Sequence, residues 1–156
     1  MNIPHSASTS AFSSFKTTIL FGDTGYGAAI IHPDSVELPS TMIKEYTKSY
    51  CGAGSGIGDL LVPEKVFGVR VTPACFVHDK MFEMGMPSLG DFKVCNAVFI
   101  TNLTSLIAGQ SHSSKLNLLY HLRLYRTVTY YNAVDTIGKK VYFKLKEDQI
   151  NGKSSR

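Results

Sequence analysis

The sequence predicts an α+β domain that is mainly helical, with a small β-element drawn from the two ends of the chain. Three observations lead there. After Thr72, apolar residues recur at three- and four-residue spacing over three long stretches, the period of a helix with one buried face. Near the N-terminus, β-branched and aromatic residues gather instead in short runs separated by glycines. With 156 residues, 44% of them hydrophobic, the chain is long enough for one domain with its own core.

Residues 1–15 contain Ser6, Ser8, Ser10, Ser13 and Ser14, lack apolar periodicity, and read as a flexible arm suited to docking a partner. Residues 17–21 and 28–31 are strand-like and pair as a hairpin through the glycine-bearing turn between them. Pro39, Ser40 and Thr41 open a helix over 39–49, with Met42, Ile43 and Tyr46 as its stripe. It ends in a loop with glycines at 52, 54, 56 and 58. Residues 57–71 read as an irregular connection, broken by Gly58, Pro63 and Gly68, with a short strand at 69–71.

A cap residue, Thr72, followed by Pro73 at the first helical position predicts a helix over 72–84. Cys75, His78, Asp79 and Phe82 fall at i, i+3, i+4 and i+7, on the face that should be buried. Residues 85–90 make a turn, and Asp91 caps a further helix over 91–108. Its apolar face holds Phe92, Cys95, Phe99, Leu103, Leu106 and Ile107, with Asn96 on the flank. A short turn sets the two helices antiparallel and brings Asn96 toward His78. An additional long helix spans 115–137 and carries Leu116, Leu119, Leu122, Val128, Tyr131 and Val134; Gly138 stops it. Residues 141–145 are strand-like and 146–156 form a polar tail, so the domain itself covers 16–145.

A formal charge of +4 is too small and too scattered for a nucleic-acid footprint, and allows only a mild attraction to anionic surfaces such as lipid headgroups. No apolar run approaches the length of a membrane span, and the N-terminus lacks the layout of a signal peptide. Three cysteines, Cys51, Cys75 and Cys95, permit one disulfide at most, and no Cys-x-x-Cys or His-x-x-x-His spacing suggests zinc.

Two segments carry chemistry. Adjacent His78 and Asp79 point to neighbouring objects, such as a water and a cation, while the glycine loop frees backbone carbonyls and N–H groups to turn toward an ion. Together they suggest a calcium-assisted hydrolytic site. The plainer readings are a hydrogen-bonded core histidine, a glycine linker, a satisfied core amide at Asn96, and a solvated face for Arg123 and Arg126. Cys75 as a nucleophile is disfavoured because it shares one helix with His78, side chains parallel.

Residues Tyr50-Cys51-Gly52-Ala53-Gly54, followed by Pro73-Ala74-Cys75-x-x-His78-Asp79, resemble the calcium loop and catalytic helix of secreted-type phospholipases A2. Adding Val62-Pro63-Glu64, Phe99-Ile100-x-Asn102-Leu103 and Tyr130-Tyr131-x-Ala133-Val134, the order over residues 50–138 is similar to small phage-encoded proteins with a phospholipase A2-like core.

The resemblance implies a core of two antiparallel helices under the loop. It implies a calcium ion (Ca2+) held weakly by the carbonyls of Tyr50, Gly52 and Gly54 with the Asp79 carboxylate. His78 would deprotonate a water that attacks the sn-2 ester of a phospholipid, with calcium and the Gly52 N–H stabilising the oxyanion. It also implies a Cys51–Cys75 disulfide, a membrane surface as partner, and a virion or the cytoplasm of an infected cell as location. Two positions depart from the family: Asn96 where an aspartate orients the histidine, and Phe82 where a tyrosine joins that network. Both weaken the surroundings of the base. They motivate the alternative of an inactive phospholipase A2-like structural or docking protein of a virion, a tail or capsid component that meets other virion proteins through the N-terminal arm.

Overall fold

The computed structural model describes residues 10–21, 27–38, 51, 65–110 and 118–152. Within them the chain is α+β and mainly helical. Strands β1 (Phe15–Phe21) and β2 (Gly27–Pro33) come first, then the short β3 (Lys65–Val66) and β4 (Val69–Arg70), then helices α1 (Thr72–Met84), α2 (Leu89–Gln110) and α3 (Leu118–Ile150). The helix expected over 39–49 and nearly all of the glycine loop lie outside the described residues.

β1 and β2 pair antiparallel, with Phe15 opposite Pro33, Thr18 opposite Ile30 and Phe21 opposite Gly27. Strand alternation sorts the side chains: Leu20, Ala28 and Ile30 are buried, while Ile19 and Phe21 remain exposed. Asn102 fastens the hairpin to α2. Its Oδ1 accepts from the Ile31 N–H and its Nδ2 donates to the Ile31 carbonyl, both at 2.8 Å. The amide thus stands in for a neighbouring strand at one residue, and each bond contributes about 1 kcal/mol net.

β3 and β4 form a second hairpin whose turn residues, Phe67 and Gly68, both have positive φ, 46° and 85°. Arg123 of α3 holds this turn, donating to the Phe67 carbonyl from Nη2 at 2.8 Å and Nε at 3.3 Å. Arg123 is therefore a structural clamp and not merely part of a solvated face.

Helix α1 spans the residues expected of it, with the cap displaced by one: Val71 precedes the first turn and no side chain caps it. Pro73 sits where its missing N–H leaves no helical bond unmade. The chain then reverses, and Ser88, not Asp91, caps α2, its Oγ accepting from the Asp91 N–H at 3.1 Å. Asp91 instead takes the third helical position and reaches outward. Its carboxylate accepts from the Met86 N–H (2.8 Å), the Ser10 hydroxyl (2.7 Å) and the Ala11 N–H (3.0 Å). Phe12 is buried alongside. The arm expected over 1–15 is thus tied down from Ser10 onward; residues 1–9 lie outside the described residues.

The longest departure concerns α3, which runs through Gly138 to Ile150. There is no strand at 141–145, and residues 146–150 are helical rather than a frayed tail. A Cβ at Gly138 would make only ordinary contacts with Val134 and Phe82, at 3.4 and 3.7 Å, so the packing does not require a glycine there, and the helix passes through it. Beyond it, Tyr142 and Lys146 are buried. Lys146 Nζ donates to the Glu83 carbonyl at 2.7 Å and to Gln149 Oε1 at 3.0 Å. Burial holds the Lys146 ammonium below its ordinary pKa, partly offset by Cys95, Asp91 and Glu83.

α2 is the central element, packed against β2, α1 and α3. Phe92, Cys95, Phe99, Leu103, Leu106 and Ile107 are all buried, as their spacing requires. At about 1.5–3 kcal/mol for each large side chain removed from water, this stripe is a major source of stability. The sequence suggests no apolar run as long as a membrane span, but by length and composition α2 is apolar enough to cross one, with half of that window buried within the domain.

Candidate functional site

The site lies where α1, α2 and α3 meet. His78 projects from α1 into the interface with α2, and the rings of Phe82 and Phe99 flank its imidazole at centroid distances of 4.1 and 4.7 Å. It is 7% exposed. Nε2 of His78 lies 2.9 Å from Oδ1 of Asn96, a residue expected on the flank of its helix and found fully buried. Burial pulls the His78 pKa down to about 4, against a smaller upward pull from the Asn96 hydrogen bond. The imidazole is therefore neutral at physiological pH, the form that accepts a proton.

Asn96 does not end the chain of contacts. Its Nδ2 donates to Oδ1 of Asp135 on α3, at 3.0 Å. Asp135 lies just beyond the apolar stripe that the sequence shows on the long helix, which ends at Val134. The signal was present: Tyr131, Asp135, Gly138 and Tyr142 follow at spacings of four, three and four, one stripe continuing past the glycine. Phe82, next to His78, places no hydroxyl beside the imidazole. Its ring packs against Tyr142 at 5.0 Å, and the Tyr142 hydroxyl donates to the Met86 carbonyl.

Asp79 follows His78 on α1 and is only partly buried. Desolvation pushes its carboxyl up to about 7, the nearby Glu83 charge adds to the shift, and Lys80 opposes it. Lys80 pairs with Glu83 at 2.8 Å. A carboxyl short of water and facing a like charge gains from an added cation, and this donor chemistry suits calcium. Among the described residues no group of three or more histidine, cysteine or acidic side chains could hold a metal. Any further ligands would have to be oxygens such as the carbonyls of Tyr50, Gly52 and Gly54, which lie outside the described residues.

One link between that loop and the helix is described. Cys51 and Cys75 form a disulfide, Cα atoms 5.1 Å apart, which anchors the start of the glycine segment one turn before His78. Cys95 is free and buried, its thiol pushed up to about 12 mainly by desolvation, which leaves it unreactive. Compared with known proteins, the chain matches no family model, no curated protein and no solved structure.

Proposed function

We propose that the protein hydrolyses a phospholipid ester with calcium, using water deprotonated by His78. The observation that carries this reading is the arrangement on one turn of α1: a neutral imidazole held by Asn96, an adjacent carboxyl held near neutrality by desolvation, and a disulfide joining the glycine segment to the same helix. His78 would accept the proton of an attacking water and return it to the leaving alkoxide. Asp79 would hold calcium together with loop carbonyls. When bound, that ion would supply positive charge for the oxyanion formed at the ester carbonyl. Phage origin and a host membrane as the working surface belong to the same proposal.

The test is fatty-acid release from mixed phosphatidylglycerol and phosphatidylcholine vesicles, with calcium and with chelator. Calcium-dependent release that His78→Gln abolishes supports the reading; no release with calcium removes it. A second reading is favoured by the flanking Phe82 and Phe99 rings and the near-complete burial of His78: a scaffold of a virion that retains the architecture without turnover. Calcium that raises the melting temperature without hydrolysis would select it.

A further inference from the structure

The amide of Asn96 faces two different partners, and only one orientation satisfies both. A carboxylate offers acceptors alone, so the Nδ2 of Asn96 must face Asp135, as it does at 3.0 Å. This leaves Oδ1 toward His78, 2.9 Å from Nε2. An amide oxygen carries no hydrogen. The contact with His78 therefore exists only if the imidazole supplies the hydrogen from Nε2, and a neutral ring has just one N–H. Turning the amide over would set oxygen against oxygen at Asp135. It would also require the other tautomer at His78.

We propose that Asp135 is a positioning residue that acts through Asn96 to hold His78 as the Nε2–H tautomer, leaving Nδ1 as the proton acceptor. The tautomer lock stands on hydrogen-bond geometry; only its catalytic consequence rests on the hydrolase reading above. In that reaction the water oxygen bonds to the acyl carbon while its proton passes to Nδ1, and the ring becomes an imidazolium whose Nε2–H still points at Asn96. The ester C–O bond then breaks, the Nδ1 proton goes to the departing alkoxide, and His78 returns to its starting tautomer. The amide dipole, oriented by Asp135, faces the transient positive charge. An unoriented amide would present its positive end about as readily.

Two-bond proton–nitrogen correlation spectra of the histidine rings in labelled full-length protein at pH 7 test the lock. The wild type is expected to show one His78 form, Nε2 protonated and Nδ1 bare, favoured by about tenfold or more. Asp135→Asn keeps the shape but offers both a donor and an acceptor. Both amide orientations then become possible, and the tautomer ratio is expected to fall to within about threefold. A residue that only stabilised the fold would lower the melting temperature and leave that ratio unchanged. A wild-type spectrum with Nδ1 protonated, or with mixed forms, overturns the proposal even if the variant does not fold. So does an unchanged ratio in folded Asp135→Asn. Vesicle hydrolysis by the same proteins separates the two ideas: no release from the wild type removes the hydrolase reading, while a single Nε2–H tautomer that Asp135→Asn scrambles still supports the lock.

Discussion

Replacing Asp91 with alanine should be among the most damaging single changes available outside the apolar core. The side chain is buried and accepts three hydrogen bonds, from the Ser10 hydroxyl, the Ala11 N–H and the Met86 N–H. Bonds to a charged acceptor contribute about 1.5–3 kcal/mol each, and water recovers part of that near the chain's start, so the net loss is about 3–5 kcal/mol. For a domain of this length, that corresponds to a fall in Tm of roughly 6–20 °C. Asp91→Asn should cost less, about 1–2 kcal/mol, because one oxygen can still accept from both backbone N–H groups while the Ser10 hydroxyl reverses to accept.

The pH dependence supplies a second signature. Burial alone would raise the Asp91 pKa, but the bonds from Ser10, Met86 and Ala11 and the Lys146 charge outweigh it and hold the carboxyl below its ordinary value. A depressed folded-state pKa means the contribution is present above the unfolded value of about 3.9 and disappears as pH falls through the folded one. Urea unfolding followed by circular dichroism, at pH 7 and at steps down to pH 3, measures both. The gap between wild type and Asp91→Ala should be full at pH 7 and should narrow below about pH 4. A gap under about 1 kcal/mol at pH 7, or equal losses for alanine and asparagine, would refute the account of Asp91 as a three-way acceptor.

Other perturbations follow from the same geometry. Removing the Cys51–Cys75 bridge, which closes a separation of 24 residues, should cost about 3.5 kcal/mol by loss of the constraint on the unfolded chain; a double alanine variant with an unchanged urea midpoint would contradict this. Phe67→Gly should stabilise the fold by about 1 kcal/mol, because φ of 46° is costly for a residue with a Cβ, and thermal melting reads the sign. Gly85→Ala should destabilise by more than about 2 kcal/mol, since the added Cβ would collide with the Tyr142 hydroxyl and approach the Met81 carbonyl to 3.1 Å; an unchanged Tm would show that α3 shifts freely. Calcium affinity, measured by titration calorimetry, should rise on the order of tenfold from pH 6 to pH 8, because the proton on Asp79 leaves near pH 7. A flat profile would exclude Asp79 as a ligand.

Much of this architecture is legible in the sequence where periodicity and burial coincide. Phe92, Cys95, Phe99, Leu103 and Leu106 announce one helix face, and the core forms on it. Boundaries were less legible wherever a residue type has two uses. Gly138 reads as a helix stop because glycine usually ends a helix, yet its cost of about 1 kcal/mol within a helix is small beside the neighbouring bonds of the thirty-three-residue α3, which carries it. Asp91 reads as a cap because acids favour first turns. Ser88, three residues earlier, does that work, which frees the carboxylate to bind the N-terminal segment. That segment has too few apolar residues to reveal its docking: Phe12 and two polar contacts suffice, and no period betrays them.

The same kind of double use bears on the amide at position 96. Position 96 is fully buried, close to the Phe99 and Phe82 rings around His78. A carboxylate there would sit in a poorly solvated interior, where an uncompensated charge is costly and raises its own pKa. An amide carries dipole without charge and is cheaper to bury, but it is ambiguous about which end it presents. Asp135 removes the ambiguity from a less buried position on the third helix, keeping the charge nearer solvent and the oriented oxygen against the imidazole. Residue 96 by itself offers the histidine no acid; across three helices, an acid stands behind the amide at Asp135. Asp135 falls inside the helix expected over 115–137, so what hides the contact in the sequence is the 39 residues between Asn96 and Asp135, which no helical period spans.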